Sequence, residues 1–350
     1  MKAIKVIELG KAEVQEVQVP KLRSDYVLVK VEAVALNPSD WKALDFLSTP
    51  GSTCGHDLAG TVIEVGSGVK APLKIGDHIA AFAHGCNSLK LEDGAFGDYA
   101  VVKGDVAIKL PDLMGFKEGS TLGVAVATIG LGLYQKLGLA LPDQPTKKLD
   151  WCFIHGGSTA MGTLAIQMAK LSGYQVISTS SPLNFNLVKA YGADVVLDYN
   201  SPTCAADICR QTESKLYYAF DIISDSASAK LCADALSTDS ATRQPLYSPL
   251  RAASETFPRD DVKSTFTFAY TSTGEPYEGG SIHLPPSRED FEYTKKFVRI
   301  VEKLLEQNKI KMHPIELKMG GWQGVLAGVD ELRQAKVSGK KLVFRISESA

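Results

Sequence analysis

The chain has 350 residues, 45% of them hydrophobic and 22% charged, with a formal net charge of −2. That length accommodates two cores, and the composition is that of an ordinary globular protein. The near-neutral charge argues against a nucleic-acid partner, and no apolar run approaches the ~18 residues of a membrane span.

The opening MKAIKVIELG alternates as a strand does and lacks the long apolar region of a signal peptide, so the expected location is cytoplasmic. The six cysteines, Cys54, Cys86, Cys152, Cys204, Cys209 and Cys232, include no C-x-x-C pair. Reduced and mostly buried thiols are expected, with neither a zinc ribbon nor a disulfide framework.

Short β-branched or aromatic runs at residues 4–6, 14–19, 26–34, 60–65, 78–83 and 99–102 predict strands broken by Gly, Pro and Asp. The turns GSGVK and KIGDHIA among them suggest a small barrel. Residues 118–137 are apolar and glycine-bearing, as suits a buried helix beside a cleft. Then WCFIHGGSTAMGTLAIQMAKLSGYQVISTSSPLN, residues 151–184, reads as strand, glycine-rich turn, helix, strand. A turn of this kind brings backbone close to a pyrophosphate, with helix-start N–H groups behind it. Gly156, Gly157 and Gly162 depart from the G-x-G-x-x-G spacing, so the βαβ context carries the reading. Strand-like runs follow at 195–197, 218–222 and 246–247 with helical segments between, which predicts an α/β fold with a doubly wound parallel sheet. After the loop TSTGEPYEGGSIHLPPS come a helix over 288–307, a strand near Ile310, a helix over 324–334 and a closing strand at 341–346. These last elements are too few for a domain of their own. The division expected is therefore 1–115 with 275–350 as one domain and 116–274 as the nucleotide-binding domain.

Several segments taken together resemble the medium-chain dehydrogenase/reductase superfamily: VEAVALNPSDWK at 31–42, GHDLAGTVIEVGSGV at 55–69, KIGDHIA, GAFGDYAVV, the glycine-rich turn, GADVVLDYNSP and SGKKLVFRI. The resemblance covers nearly the whole chain. It implies a GroES-like β-barrel domain, an inserted Rossmann domain and a C-terminus that returns to the first. In the zinc enzymes of that superfamily, Cys, His and a second Cys hold the catalytic ion. Here Asn37 stands at the first of those positions, His56 survives alone, and Cys86 is the only cysteine in the region of the structural zinc lobe. The implied protein holds no metal, and His56 is then a hydrogen-bonded structural residue. Within the zinc-free branch, NPSDWK, GGSTA, SPLNF, VVLDY and GLGLYQKLGLALP are similar to the fungal trans-acting enoyl reductases, which serve polyketide synthases whose own reductase domain is inactive.

An acidic residue at the end of the second strand of the βαβ unit would select NAD. Ser178, Thr179, Ser180 and Ser181 stand there instead, which favours NADPH. The resemblance implies that Ser181, Pro182, Leu183, Asn184 and Tyr199 hold the 2′-phosphate. The usual arginine is absent, and Lys189 could assist only if its helix turns it inward. Ser158, Thr159, Ala160 and Met161 are expected at the pyrophosphate, and Ser39, Asp40, Trp41 and Lys42 beside the nicotinamide. Leu246, Tyr247, Val337 and Ser338 should also touch the cofactor. The implied reaction is conjugate reduction of an α,β-unsaturated thioester, with Lys42 and then Thr128 as candidate donors to the developing oxyanion. Thr128, Ile129, Leu133, Tyr270, Thr271, Ser272 and Thr273 are expected to line the substrate channel. Phe46 and Leu47 lie where some mitochondrial-type enoyl reductases place a tyrosine, which leaves solvent as a candidate proton source. The partner implied is a polyketide synthase presenting a carrier-bound chain; oligomeric state stays open, a monomer included. A quinone or small-enone reductase, and a nucleotide-binding protein without turnover, are the competing readings.

Overall fold

In the first hundred residues, short β-branched and apolar runs become strands, several of them buried along most of their length. A computed structural model of the protein describes residues 1–250 and 257–346. β1 (Lys2–Glu8) and β2 (Lys11–Glu16) form an antiparallel hairpin. β3 (Tyr26–Ala35) is followed by α1 (Pro38–Phe46), β4 (Asp57–Val65), β5 (His78–Phe82), β6 (Tyr99–Lys103) and β7 (Ile108–Lys109). β3 pairs antiparallel with both β4 and β6, β4 with β5, and β5 with β7. Two register shifts between β3 and β4 let the sheet curl toward a barrel. Val27, Val29, Val31, Leu58, Val62 and Ile79 fill its core.

The apolar stretch after the barrel forms α2 (Phe116–Gly119) and α3 (Gly123–Ile129), and the latter widens into a π-helical turn over Gly130–Lys136. The chain's two compact units divide inside α3, at Ala127 and Thr128. The second unit runs from Thr128 to Phe268 and also takes in Ile310–His313.

Its strands are β8 (Trp151–His155), β9 (Gln175–Ser180), β10 (Val195–Asp198), β11 (Leu216–Asp221), β12 (Leu246–Pro249) and β13 (Lys263–Ser264). They lie in the order β10-β9-β8-β11-β12-β13, all parallel. Helices α4 (Ala160–Leu171), α5 (Phe185–Ala190), α6 (Cys204–Gln211) and α7 (Ser226–Ala235) fall between them in sequence. This is the doubly wound arrangement, with its topological switch between β8 and β11. Phe153, Ile177, Leu216, Ala219 and Tyr247 share one core cluster of this unit.

The returning segment forms a hairpin of β14 (Tyr277–Gly279) and β15 (Ile282–Leu284), then α8 (Arg288–Glu306), β16 (Ile315–Lys318), α9 (Gly321–Arg333) and β17 (Lys341–Arg345). β17 pairs antiparallel with β3 and parallel with β16, so the C-terminal strands complete the seven-stranded sheet of the first unit. The strand expected near Ile310 is not formed. Side chains satisfy that backbone instead: Gln167 exchanges two hydrogen bonds with Lys311, at 2.8 and 2.9 Å, and the Tyr191 hydroxyl donates to the Met312 carbonyl at 2.6 Å. Among the described residues, no helix is long and apolar enough to cross a membrane.

Candidate active site

Two regions concentrate the candidate residues, one in each unit. In the second unit the turn after β8 leaves almost no room for side chains. Gly156 has φ +87°, a left-handed conformation that other residues rarely adopt. A Cβ on Gly162 would lie 2.3 Å from the Gly156 carbonyl oxygen, and one on Gly157 would lie 2.1 Å from Ser178 Oγ. The Thr159 hydroxyl caps α4: it accepts from the Gly162 amide at 2.9 Å and donates to the Gly156 carbonyl at 2.8 Å. The amides of Ala160 and Met161 open the helix, where no intrahelical acceptor is within reach. A bare turn at the positive end of a twelve-residue helix fits a pyrophosphate. Ser158, Thr159, Ala160 and Met161 are all half-buried at this turn.

Beyond β9, Ser181 and Asn184 sit together, the amide of Asn184 donating to Ser181 Oγ at 3.2 Å. Pro182 and Leu183 between them are exposed, as are Lys189 and Tyr199. Tyr199 meets His155 edge to face at 6.2 Å, and His155 Nδ1 lies 2.7 Å from Thr179 Oγ1. Burial lowers the His155 pKa. Asp221, at the end of β11, is fully buried and collects four hydrogen bonds, from the amides of Ile223 and Ser224 and the hydroxyls of Ser228 and Tyr247. Leu246 is half-buried, but Tyr247 is 1% exposed, with its hydroxyl on Asp221 and its ring stacked on Phe257 at 4.3 Å. Thr128 is nearly buried, and Ile129 and Leu133 expose no surface at all.

In the first unit, α1 and β4 bring Asn37, Asp40, His56 and Asp57 into one buried network. Asn37 stands at the N-cap of α1, its backbone amide held by the Asp40 side chain, and Pro38 opens the helix, so Ser39, Asp40, Trp41 and Lys42 all lie on it. The Asp40 carboxylate accepts from the Asn37 amide at 2.6 Å and lies 2.6 Å from His56 Nδ1. His56 Nε2 lies 2.9 Å from the Tyr270 hydroxyl. Asn37 donates through Nδ2 to Asp57 at 2.8 Å, and Asp57 also accepts the Val124 amide at 2.6 Å. Lys341 Nζ completes the set, donating to Asn37 Oδ1 at 2.8 Å and to Asp57 Oδ2 at 2.9 Å. Its side chain is only 4% exposed. Trp41 and Lys42 are half-buried, with the Lys42 ammonium 5.7 Å from the Trp41 ring centroid. Tyr270, Ser272 and Thr273 are buried and Thr271 is half-buried; Val337 is half-buried and Ser338 exposed ahead of β17.

These donors do not fit a catalytic zinc. Both nitrogens of His56 are engaged, and the oxygen that Asn37 offers faces an ammonium. Among the described residues no group of three His, Cys, Asp or Glu side chains could hold a metal ion. Sequence reasoning missed Lys341. Its signal was a lysine opening a strand whose next three residues are apolar, in a chain that also carries an acidic residue in GHDLAG.

Residues 23–112 match the alcohol dehydrogenase GroES-like domain. Trans-enoyl reductase ACTTS2 of Alternaria alternata is 42% identical over 346 residues, which span 99% of this chain and 98% of that protein. The chain belongs to the trans-enoyl reductase family. Trans-enoyl reductase TOXD of Cochliobolus carbonum is 47% identical over 77% of this chain and 88% of its own. Among solved structures, a mycobacterial protein complexed with NADPH superposes with a TM-score of 0.73 at 20% identity, covering 99% of this chain and 100% of that one. That likeness establishes a shared fold. As a member of the trans-enoyl reductases, this chain is an oxidoreductase of the nicotinamide-dependent kind.

Proposed function

We propose that the protein is an NADPH-dependent trans-acting enoyl reductase, reducing the α,β-unsaturated thioester of a polyketide chain carried by a partner synthase. The observation that carries this reading is the bare turn ahead of α4, followed after β9 by Ser181 and Asn184 where an NAD-selecting carboxylate would stand. Ser158, Thr159, Ala160 and Met161 would bind the pyrophosphate through turn amides and the helix start. Ser181, Asn184 and Tyr199 offer hydroxyl and amide donors to a 2′-phosphate without repelling it. Leu246, Val337 and Ser338 remain candidates for cofactor contact. Tyr247 would serve it through backbone, because its side chain is committed to Asp221.

When bound, the nicotinamide supplies the hydride that the β-carbon of the thioester takes. The chain's own task is to hold the alkene in place and to stabilise the oxygen on which charge develops. Lys42 is the first candidate donor to that oxygen, on a helix whose capping fixes its direction, and Thr128 is the second. Thr271, Ser272 and Thr273 remain candidates for substrate contact, whereas Ile129 and Leu133 expose no surface through which to make it. The test is NADPH oxidation with a crotonyl-type thioester against a small quinone, in wild type and Lys42→Ser. Thioester turnover without quinone turnover, slowed at least several-fold in the variant with NADPH binding unchanged, is expected. Quinone turnover alone would replace the reading, and unaltered rates in Lys42→Ser would remove that lysine from it.

A further inference from the structure

Three proton-exchanging side chains stand in line in the first unit. Asp40 Oδ1 lies 2.6 Å from His56 Nδ1, and His56 Nε2 lies 2.9 Å from Tyr270 Oη. The side chains of Asp40 and His56 are each 1% exposed. Both ends of the line are fixed. The other oxygen of Asp40 is tied to the Asn37 amide at the start of α1. The Tyr270 ring is stacked on Tyr277 with centroids 3.9 Å apart and meets His56 and His84 edge to face, at 5.6 and 5.7 Å. Its carbonyl accepts from His84 Nε2 at 2.8 Å.

Packing alone does not ask for this arrangement. Burying a carboxylate, an imidazole and a phenol costs more than burying apolar groups of the same volume. The family's reaction places a hydride on one carbon and then needs a proton on its neighbour, and the region of Phe46 and Leu47 offers none. The geometry points to a proton relay in which Tyr270 gives the α-carbon its proton, His56 restores it, and Asp40 holds the imidazolium form of His56. This inference rests on the enoyl reductase reading above.

The step balances with no further reagent. The Oη–H bond of Tyr270 breaks as the C–H bond forms at the α-carbon, whose bonding pair comes from the enolate. The phenolate then takes the Nε2 proton of His56, and the neutral imidazole keeps its Nδ1 proton toward Asp40. Once the product has left, a solvent proton entering at Tyr270 Oη passes along the same hydrogen bond to Nε2 and restores the imidazolium, while Asp40 keeps its hold on Nδ1. Burial, with Tyr277 beside it, holds the Tyr270 phenol well above its ordinary pKa, so it stays protonated between turnovers.

The experiment is thioester reduction with NADPH in D2O, reading kcat, KM and the configuration of deuterium at the α-carbon. Wild type is expected to label one face. Tyr270→Phe keeps the stacked ring and removes the hydroxyl. It should lower kcat by about 10²-fold, leave KM within about two-fold, and scramble the label over both faces. Wild-type kcat with single-face labelling in Tyr270→Phe would overturn the relay. If that variant loses NADPH binding or its thermal transition, Asp40→Asn decides by the same readouts, since the amide keeps a cap acceptor while removing the charge: loss of kcat with KM kept supports the relay, and unchanged kcat defeats it. Wild type that turns over no enoyl thioester at all would remove the enoyl reductase reading, and the relay with it.

Discussion

The turn ahead of α4 and the network around Asp57 solve opposite problems. The turn is defined by atoms that are missing: a Cβ at Gly157 or Gly162 would collide with Ser178 or with the Gly156 carbonyl, and the helix behind begins with amides that no part of the helix can satisfy. The network is defined by atoms that are all accounted for. Asp57 takes three donors, and Asn37 spends both ends of its amide, one on Asp57 and one on Lys341. Where the chain leaves donors unspent, a charged ligand can complete the structure. Where it closes every bond, the group at the centre is a part of the fold. That is why Lys341, not a metal, is the cation beside Asp57.

The sharpest way to break this contrast is Lys341→Met. It leaves the Asp57 carboxylate buried without its counter-charge and Asn37 Oδ1 without its donor. Removing one partner of a buried pair typically costs about 3–5 kcal/mol. Urea unfolding should show a loss of that order, and the double variant Asp57→Asn with Lys341→Met should lose less than the single one. A single variant within about 0.5 kcal/mol of wild type would mean that the ammonium is dispensable.

Much of the second unit was legible because its signals are local. Strand, glycine turn and helix follow one another within residues 151–184, and the parallel order could be expected from alternation alone. The first unit was legible as strands, but not as a site. Asp57 and Lys341 are 284 residues apart, and His56 and Tyr270 are 214 apart. Periodicity reports on neighbours along the chain, so it saw Lys341 only as the start of a strand and gave no sign that Tyr270 meets His56. Tyr247 shows the same limit at short range. A four-residue strand does not disclose which face meets Asp221. Nor could the sequence around Ile310 reveal that side chains of Gln167 and Tyr191 would take the place of a neighbouring strand.

A milder probe of the closed region is pH. His84 is buried between Tyr270 and Thr273, and burial lowers its pKa from 6.5 to about 4. The unfolded chain takes up that proton near pH 6.5, while the folded chain refuses it until about pH 4. Between those values the unfolded state binds more protons, so stability falls as pH falls. From pH 7 to pH 5 this group contributes a loss of roughly 2 kcal/mol. Urea midpoints of wild type and His84→Gln at both pH values would measure it. The variant should show a shallower decline, and equal slopes would remove His84 as the cause.

The open region should show a modest effect on stability and the more telling one for binding. In Gly162→Ala the new methyl meets the Gly156 carbonyl oxygen at 2.3 Å and the Gly157 Cα at 2.8 Å. Both obstacles are backbone, so no rotamer change can relieve them, and α4 must back away from the turn. Overpacking of this kind costs about 1–3 kcal/mol, which a two-core chain can survive. The amides of Ala160 and Met161 would move with the helix, away from where a pyrophosphate would sit. Fluorescence titration should then show NADPH binding at least about ten-fold weaker, equivalent to about 1.4 kcal/mol, while the thermal transition is lowered but kept. Thr159→Val separates the two causes, because it removes the cap on the Gly162 amide without adding bulk at the turn. If Gly162→Ala binds NADPH as wild type does, the turn is a packing device, and the phosphate site must be sought elsewhere in the second unit.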